Sequence, residues 1–262
     1  MNVRFVVRGL ILALPMAVLV SAAWLLFQTP LGRPPEATPP PPTILVPAGE
    51  VPTGTVGLRE FVQYRGEDYR PAGSGFLLTL ADASVVGATT AHGVSLDNPE
   101  RPLKRIALGV DGGSQFVTEH DALRGPPGRP RTGDDLTVDY LLLHVTQPVD
   151  PRFLLAPDPR GAPQPGERVL LYSGVADRDG GQRILKGTVQ SASDTAVWVL
   201  MDQVFNPYGM SGSPLISEHT GQAVGMAVAV SPRLNRLLVG VNPIGSLLQL
   251  AEEATGFSRI GE

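Results

Sequence analysis

The sequence predicts a mainly β fold of the sandwich or barrel kind, preceded by an apolar helix. Three observations carry this. From about Thr55 onward, short apolar runs alternate with Gly, Pro and Asp, and no long helical period occurs until the end of the chain. The runs recur at even spacing with turn residues between them, the pattern of sandwiches and barrels. A Pro-rich passage at 148–166 divides them into two groups, as a connector between subdomains or a long surface loop would. With 262 residues and 42% apolar side chains, the chain can bury a proper core.

At the amino terminus, Arg4 and Arg8 precede an uncharged apolar run from Gly9 to Phe27. Its length is close to the ~20 residues that a helix needs to cross a bilayer. Residues 1–28 therefore read as a signal anchor. Small residues Ser21, Ala22 and Ala23 suit a cleaved signal peptide, but Trp24 to Phe27 extend the apolar run past them, which favours retention. The basic flank stays cytoplasmic, and the rest is expected in the periplasm or cell exterior, membrane-anchored or, if the segment is cleaved, secreted. Residues 29–56 are dense in proline and read as a semi-rigid linker.

The expected strands then follow in order. They are 75–80, 84–91, 105–110, 136–145 and 168–174, followed by 184–192, 196–202, 213–217, 223–230 and 237–243. A helix is expected in IGSLLQLAEEATG, where Ile244, Leu247, Leu248 and Ala251 share one face.

Composition excludes several functions. Net charge is −4 without a basic stripe, so no nucleic-acid partner is indicated. The absence of cysteine removes disulfides, thiolate nucleophiles and cysteine-ligated zinc. No phosphate-binding glycine loop, HExxH or EF-hand pattern occurs, so neither a metal nor another cofactor is expected.

Chemistry concentrates in NPYGMSGSPLIS, 206–217, where Ser211 lies between Gly209 and Gly212. A serine nucleophile needs a base and backbone donors for the oxyanion, and glycines let successive N–H groups aim into one pocket. By itself the string reads equally well as a turn. His92, at the end of an apolar strand, is the best-placed base. His120 lies in a charged loop, His144 in a strand and His219 in a turn, where solvation or packing accounts for them. Asp139 interrupts the apolar run LTVDYLLLHV, and a carboxylate there needs a partner such as an imidazole N–H. Asp134 and Asp135 fall in a polar turn, and Asp202 could orient the serine loop. The order His92, Asp139, Ser211 fits neither the α/β-hydrolase nor the subtilisin order.

GSGFLL at 73–78, TTAHGV around His92, VDYLLLHV around Asp139, MDQVFNPYGMSGSPLIS through Ser211 and GQAVGMAVAV at 221–230 occur in that order. Over about residues 57–250 the chain thereby resembles the trypsin-like, chymotrypsin-fold serine peptidases, most closely their bacterial high-temperature-requirement type. The resemblance implies an all-β domain of two six-stranded antiparallel β-barrels, about 57–148 and 165–243. The end of the C-terminal helix and a tail, 251–262, would follow, with no PDZ domain. It implies a serine endopeptidase with His92 as base, Asp139 as orienter, Ser211 as nucleophile, and Gly209 and Ser211 N–H groups as oxyanion donors. A protein or peptide substrate would bind as an added strand beside 226–230, against Ala227, Val228 and Ala229. Phe205 stands where an acidic residue would select Lys or Arg, which suggests small or apolar substrate side chains. Met210 departs from the family's usual Asp or Asn before the nucleophile, so activation by an ion pair to a new amino terminus is not expected. The competing reading is an inactive peptidase-fold module that binds peptides or scaffolds a membrane complex. Oligomeric state has no signature in the sequence.

Overall fold

The computed structural model describes residues 38–96, 98–233 and 235–261. The expected anchor, 1–28, and the start of the linker lie outside the described residues. Among the described residues no helix is long and apolar enough to cross a membrane.

The N-terminal half contains β1 (Leu58–Tyr64), β2 (Arg70–Thr79), β3 (Val85–Thr89), β4 (Leu103–Gly109), β5 (Phe116–His120), β6 (Ala122–Arg124), β7 (Leu141–His144) and β8 (Leu154–Leu155). The C-terminal half contains β9 (Arg168–Ser173), β10 (Arg183–Ala192), β11 (Val197–Met201), β12 (Pro214–Ser217), β13 (Ala223–Arg233) and β14 (Arg236–Pro243). Helix α1 (Ile244–Glu253) and β15 (Phe257–Arg259) close the chain.

The C-terminal strands form a closed barrel in the order β10-β11-β14-β13-β12-β9. Period-two alternation explains its interior. Val169 and Leu171, Val197, Val199 and Met201, and Val239 and Val241 point inward, with Leu185, Val189 and Leu215 between them. The other face of this barrel is apolar as well. Leu170, Tyr172, Ile216 and Met226 join Phe76, Leu78, Val86, Ala88 and Leu142 of the N-terminal sheet in a second core, into which α1 inserts Ile244, Leu247 and Ala251. The two halves are thus packed by sheet faces that read in sequence as continuous apolar runs.

The N-terminal half corrects the expectation of a second closed six-stranded barrel. Its sheet runs β15-β6-β7-β3-β2-β1-β4-β5, with β8 added in parallel to β2, and curls without a ladder across its seam. Its two arms meet in one segment. β5 pairs with β4 and β6 with β7, and only Asp121 separates β5 from β6. β7 is too short to reach β5, because residues 137–139 turn before it and Pro148 follows soon after. A groove of about 460 Å³ remains between residues 115–120 and 145–147. His120 spans the seam: Nδ1 donates to the His144 carbonyl at 2.8 Å, and Nε2 accepts from Thr118 Oγ1 at 2.9 Å. The solvated role expected for His120 is therefore replaced by a buried one. Burial pushes its imidazole down to about 4, against the smaller opposing pull of the His144 carbonyl.

Residues 38–56 carry no helix or strand, yet they are bonded to the domain rather than standing off it. Gly49 N–H donates to the His219 carbonyl at 2.8 Å, and His219 Nε2 donates to the Val46 carbonyl at 2.8 Å. Tyr172 Oη donates to the Pro52 carbonyl at 2.7 Å, and the Val56 and Gly57 N–H groups both reach Gln182 Oε1 at 3.0 Å. Extended Pro-rich backbone makes no bonds with itself, so its carbonyls are free for such donors. Below it, the connector between the halves is fixed by Arg160, which pairs with Asp158 at 2.7 Å and Glu167 at 2.9 Å. Thr220 and Ser217 hydroxyls complete the two carboxylates.

Candidate active site

The register of the N-terminal sheet brings His92 and Asp139 together. β3 and β7 are antiparallel with Thr89 opposite Leu141, so the turn before β7 lies beside the chain leaving β3. That chain makes a 3-10 turn, Ala91–Gly93, anchored by buried Ala91. Asp139 sits in the turn and not within a strand as expected, and it is wholly buried. His92 donates to it twice, from Nδ1 at 2.8 Å and from its backbone N–H at 3.0 Å, and the Arg131 N–H adds a bond of 3.3 Å. Burial pushes the Asp139 carboxyl up, but the bonds and charge of His92, with the Arg131 N–H, outweigh it and hold the group below the ordinary carboxylate range.

Ser211 arrives from the other half, on the loop between β11 and β12. Its Oγ lies 2.9 Å from His92 Nε2. The flanking glycines are required by geometry. Gly209 has φ +76° and Gly212 φ +91°, and a Cβ on Gly212 would lie 1.9 Å from the Ser74 carbonyl oxygen. The loop is clamped by the β1–β2 hairpin. Ser74 N–H donates to the Ser211 carbonyl at 2.8 Å, while Ser74 Oγ and Arg59 Nη1 donate to the Gly209 carbonyl at 2.7 and 3.2 Å. On the far side, Gly212 N–H donates to the Ala227 carbonyl at 2.7 Å. Among the described residues, neither the Gly209 nor the Ser211 backbone N–H donates to a backbone acceptor. Met210, between them, is buried in the barrel core, and apolar packing anchors the loop there.

Phe205, Ala227, Val228 and Ala229 line a depression next to Ser211, together with Met210 and Val230. It holds about 20 Å³, room for roughly one water molecule, and buried Phe205 and Met210 are among its walls. β12 pairs with β13 only as far as Met226, so among the described residues the edge at 228–230 has no ladder partner on that side. The remaining candidates bond elsewhere. Asp202 pairs with Arg168 at 2.6 Å, His144 stacks on Phe257 at 3.7 Å, and His219 serves the 38–56 segment. Among the described residues no cluster of His, Asp or Glu could hold a metal ion.

Sequence reasoning missed Arg59, Glu60 and Ser74. The strand that carries the first two, LREFVQY, alternates well enough to have been found, and Glu60 interrupts it as Asp139 interrupts its own apolar run.

No family model matches the sequence, and no curated protein matches it. Solved structures do. Kallikrein-related peptidase 10 aligns at a TM-score of 0.52 and 18% identity, covering 76% of this chain and 95% of that one. A thermostable serine protease, AL20, from an extremophilic microorganism aligns at 0.52 and 15%, covering 77% and 98%. A catalytically active tobacco etch virus protease, complexed with product, aligns at 0.51 and 16%, covering 83% and 86%. At these identities the likeness establishes the fold, which is chymotrypsin-like.

Proposed function

We propose that the protein is a serine endopeptidase that works through His92, Asp139 and Ser211, held outside the cytoplasm by its apolar amino terminus. The observation that carries this reading is one imidazole bridging a buried carboxylate at 2.8 Å and a glycine-flanked serine hydroxyl at 2.9 Å. Hydrogen bonding to Asp139 places the proton on Nδ1 and leaves Nε2 as an acceptor for the Ser211 proton. Ser211 Oγ attacks a peptide carbonyl and its proton passes to Nε2. The charge on the carbonyl oxygen is met by the Gly209 and Ser211 N–H groups, worth on the order of 3 kcal/mol each. As the C–N bond breaks, His92 returns the proton to the leaving amine. Water then repeats the sequence on the acyl-enzyme. Asp139 stays ionised throughout and steadies the imidazolium.

Substrate adds as a strand along 228–230, with the side chain before the cut directed at the depression beside Ser211. A space this small, walled by Phe205 and Met210, admits Ala, Ser or Gly and offers no counter-charge for Lys or Arg. The placement outside the cytoplasm rests on Arg4, Arg8 and the apolar run behind them. The closeness to the high-temperature-requirement type rests on the motifs around His92, Asp139 and Ser211.

Labelling with a fluorophosphonate probe tests the reading. Wild-type protein is expected to label at one serine, and Ser211→Ala to lose the label while folding normally. A folded wild-type protein that never labels would point instead to an inactive module that binds peptides.

A further inference from the structure

Beneath the pair of loops that carry His92 and Ser211 lies Glu60, on β1, with no exposed surface. Neither of its carboxyl oxygens has a hydrogen-bond partner among the described residues, and the same holds for buried Thr90 Oγ1 nearby. The carboxyl is wedged between two glycines. A Cβ on Gly73 would lie 2.7 Å from Glu60 Oε2 and 3.0 Å from the Ser211 carbonyl oxygen. One on Gly93, the residue after His92, would lie 3.3 Å from the same Oε2 and 3.6 Å from Thr90 Oγ1. Gly73 directly precedes Ser74, which holds both the Ser211 and the Gly209 carbonyls.

We propose that Glu60 is a positioning residue for the peptidase reaction: its buried carboxyl, wedged between Gly73 and Gly93, is the spacer that fixes the serine loop against the histidine turn. An unpaired carboxylate in that space would draw donors toward itself from the chain on both sides, and those donors belong to the segments that set the His92–Ser211 distance. Burial acts most strongly on it, against smaller pulls from the Thr89 hydroxyl, the Gly73 N–H and the Arg59 charge. Arg59 is the one charge acting on it, and the Arg59 guanidinium is committed to the Gly209 carbonyl. The groups facing it from the other elements, Gly73 on β2, Leu108 on β4, Thr89 and Thr90 at the end of β3, and Gly93, carry no charge. His92 is the nearest titratable side chain along that turn. Burial accordingly pushes the Glu60 carboxyl up to about 8.

This role rests on the peptidase reading. Its test compares full-length wild type, Glu60→Ala and Glu60→Gln for cleavage of a small-residue peptide substrate, for fluorophosphonate labelling rate and for thermal unfolding, each between pH 6 and 9. Wild-type kcat is expected to fall about fivefold from pH 8 to 9 with KM unchanged, and its unfolding temperature to fall mainly between pH 6 and 8. Glu60→Ala is expected to lose about tenfold in kcat at all pH values. Glu60→Gln, uncharged and of the same shape, is expected to restore that loss and to abolish the alkaline decline. A Gln variant whose kcat declines with pH as the wild type's does would overturn the proposal, even if unfolding shows that Glu60 titrates. Absence of labelling in all three proteins, with the difference in unfolding intact, would instead overturn the peptidase reading and the positioning role with it.

Discussion

Two side chains line the depression next to Ser211 in which the proposed substrate side chain would sit. Phe205 and Met210 belong to the barrel core and also form the wall of the depression, so stability and specificity are tied at these positions. Phe205→Ala is expected to open the depression and raise kcat/KM for a peptide with Leu before the cut about tenfold relative to Ala. A few methylenes in an apolar pocket are worth that much. The same change removes a core side chain and is expected to cost about 3 kcal/mol in chemical unfolding. A variant with the stability loss but no change in preference would place the specificity pocket elsewhere. At this scale the sequence was informative where a residue broke a pattern. Asp139 stood out within an apolar run, and its buried, triply bonded carboxylate explains why it is tolerated. Ser74 broke no pattern: a serine in a Gly-rich strand carries no mark of the two carbonyls it holds.

Among the elements, the segment 38–56 most exceeds what its composition suggests. Proline density explains its lack of helix and strand but not its docking, which depends on Gln182, Tyr172 and His219, all distant in sequence. Gln182 is the pivotal side chain. It accepts from Val56 and Gly57 N–H groups and donates to the Ser173 carbonyl, so the segment's end, β1 and β9 meet at one amide. Gln182→Ala leaves two N–H groups and a carbonyl without partners and is expected to cost about 2 kcal/mol. Proteolytic cutting between 46 and 57 should be faster in the variant. An unchanged cutting rate would mean that the segment is held by packing alone. The strands themselves were largely legible, because alternation and turn residues are local properties. β7 was the exception: the run 136–145 is largely apolar and reads as one strand, yet its first half turns to present Asp139.

For the whole molecule, burial shifts His120 and Glu60 in ways that act in opposite directions on stability. His120 falls from 6.5 unfolded to about 4 folded, so the unfolded chain binds more protons between those values. Stability is therefore lost as pH drops from 6.5 toward 4, by up to about 3 kcal/mol. Glu60 rises from 4.5 unfolded to about 8 folded. There the folded chain binds more protons, and stability is lost as pH rises from 4.5 toward 8. The two slopes offset each other between pH 4.5 and 6.5, the range common to both. Denaturant unfolding is expected to show a plateau in that range and losses on either side. His120→Gln is expected to remove much of the acid-side loss. A wild-type maximum above pH 8 would contradict the assignment of Glu60 as a neutral buried acid.

The sequence by itself determined the β character, the division into halves, the terminal helix and the order of His92, Asp139 and Ser211. Each of these is written in neighbouring residues: alternation, glycine and proline at turns, a polar residue in an apolar run. The tertiary structure decided what depends on residues far apart in the chain. It left the first sheet open at a seam spanned by His120, laid 38–56 on the second barrel, and set Glu60, Ser74 and Arg59 under the serine loop. Registers between strands fix those distances, and a register depends on which faces must be buried against each other.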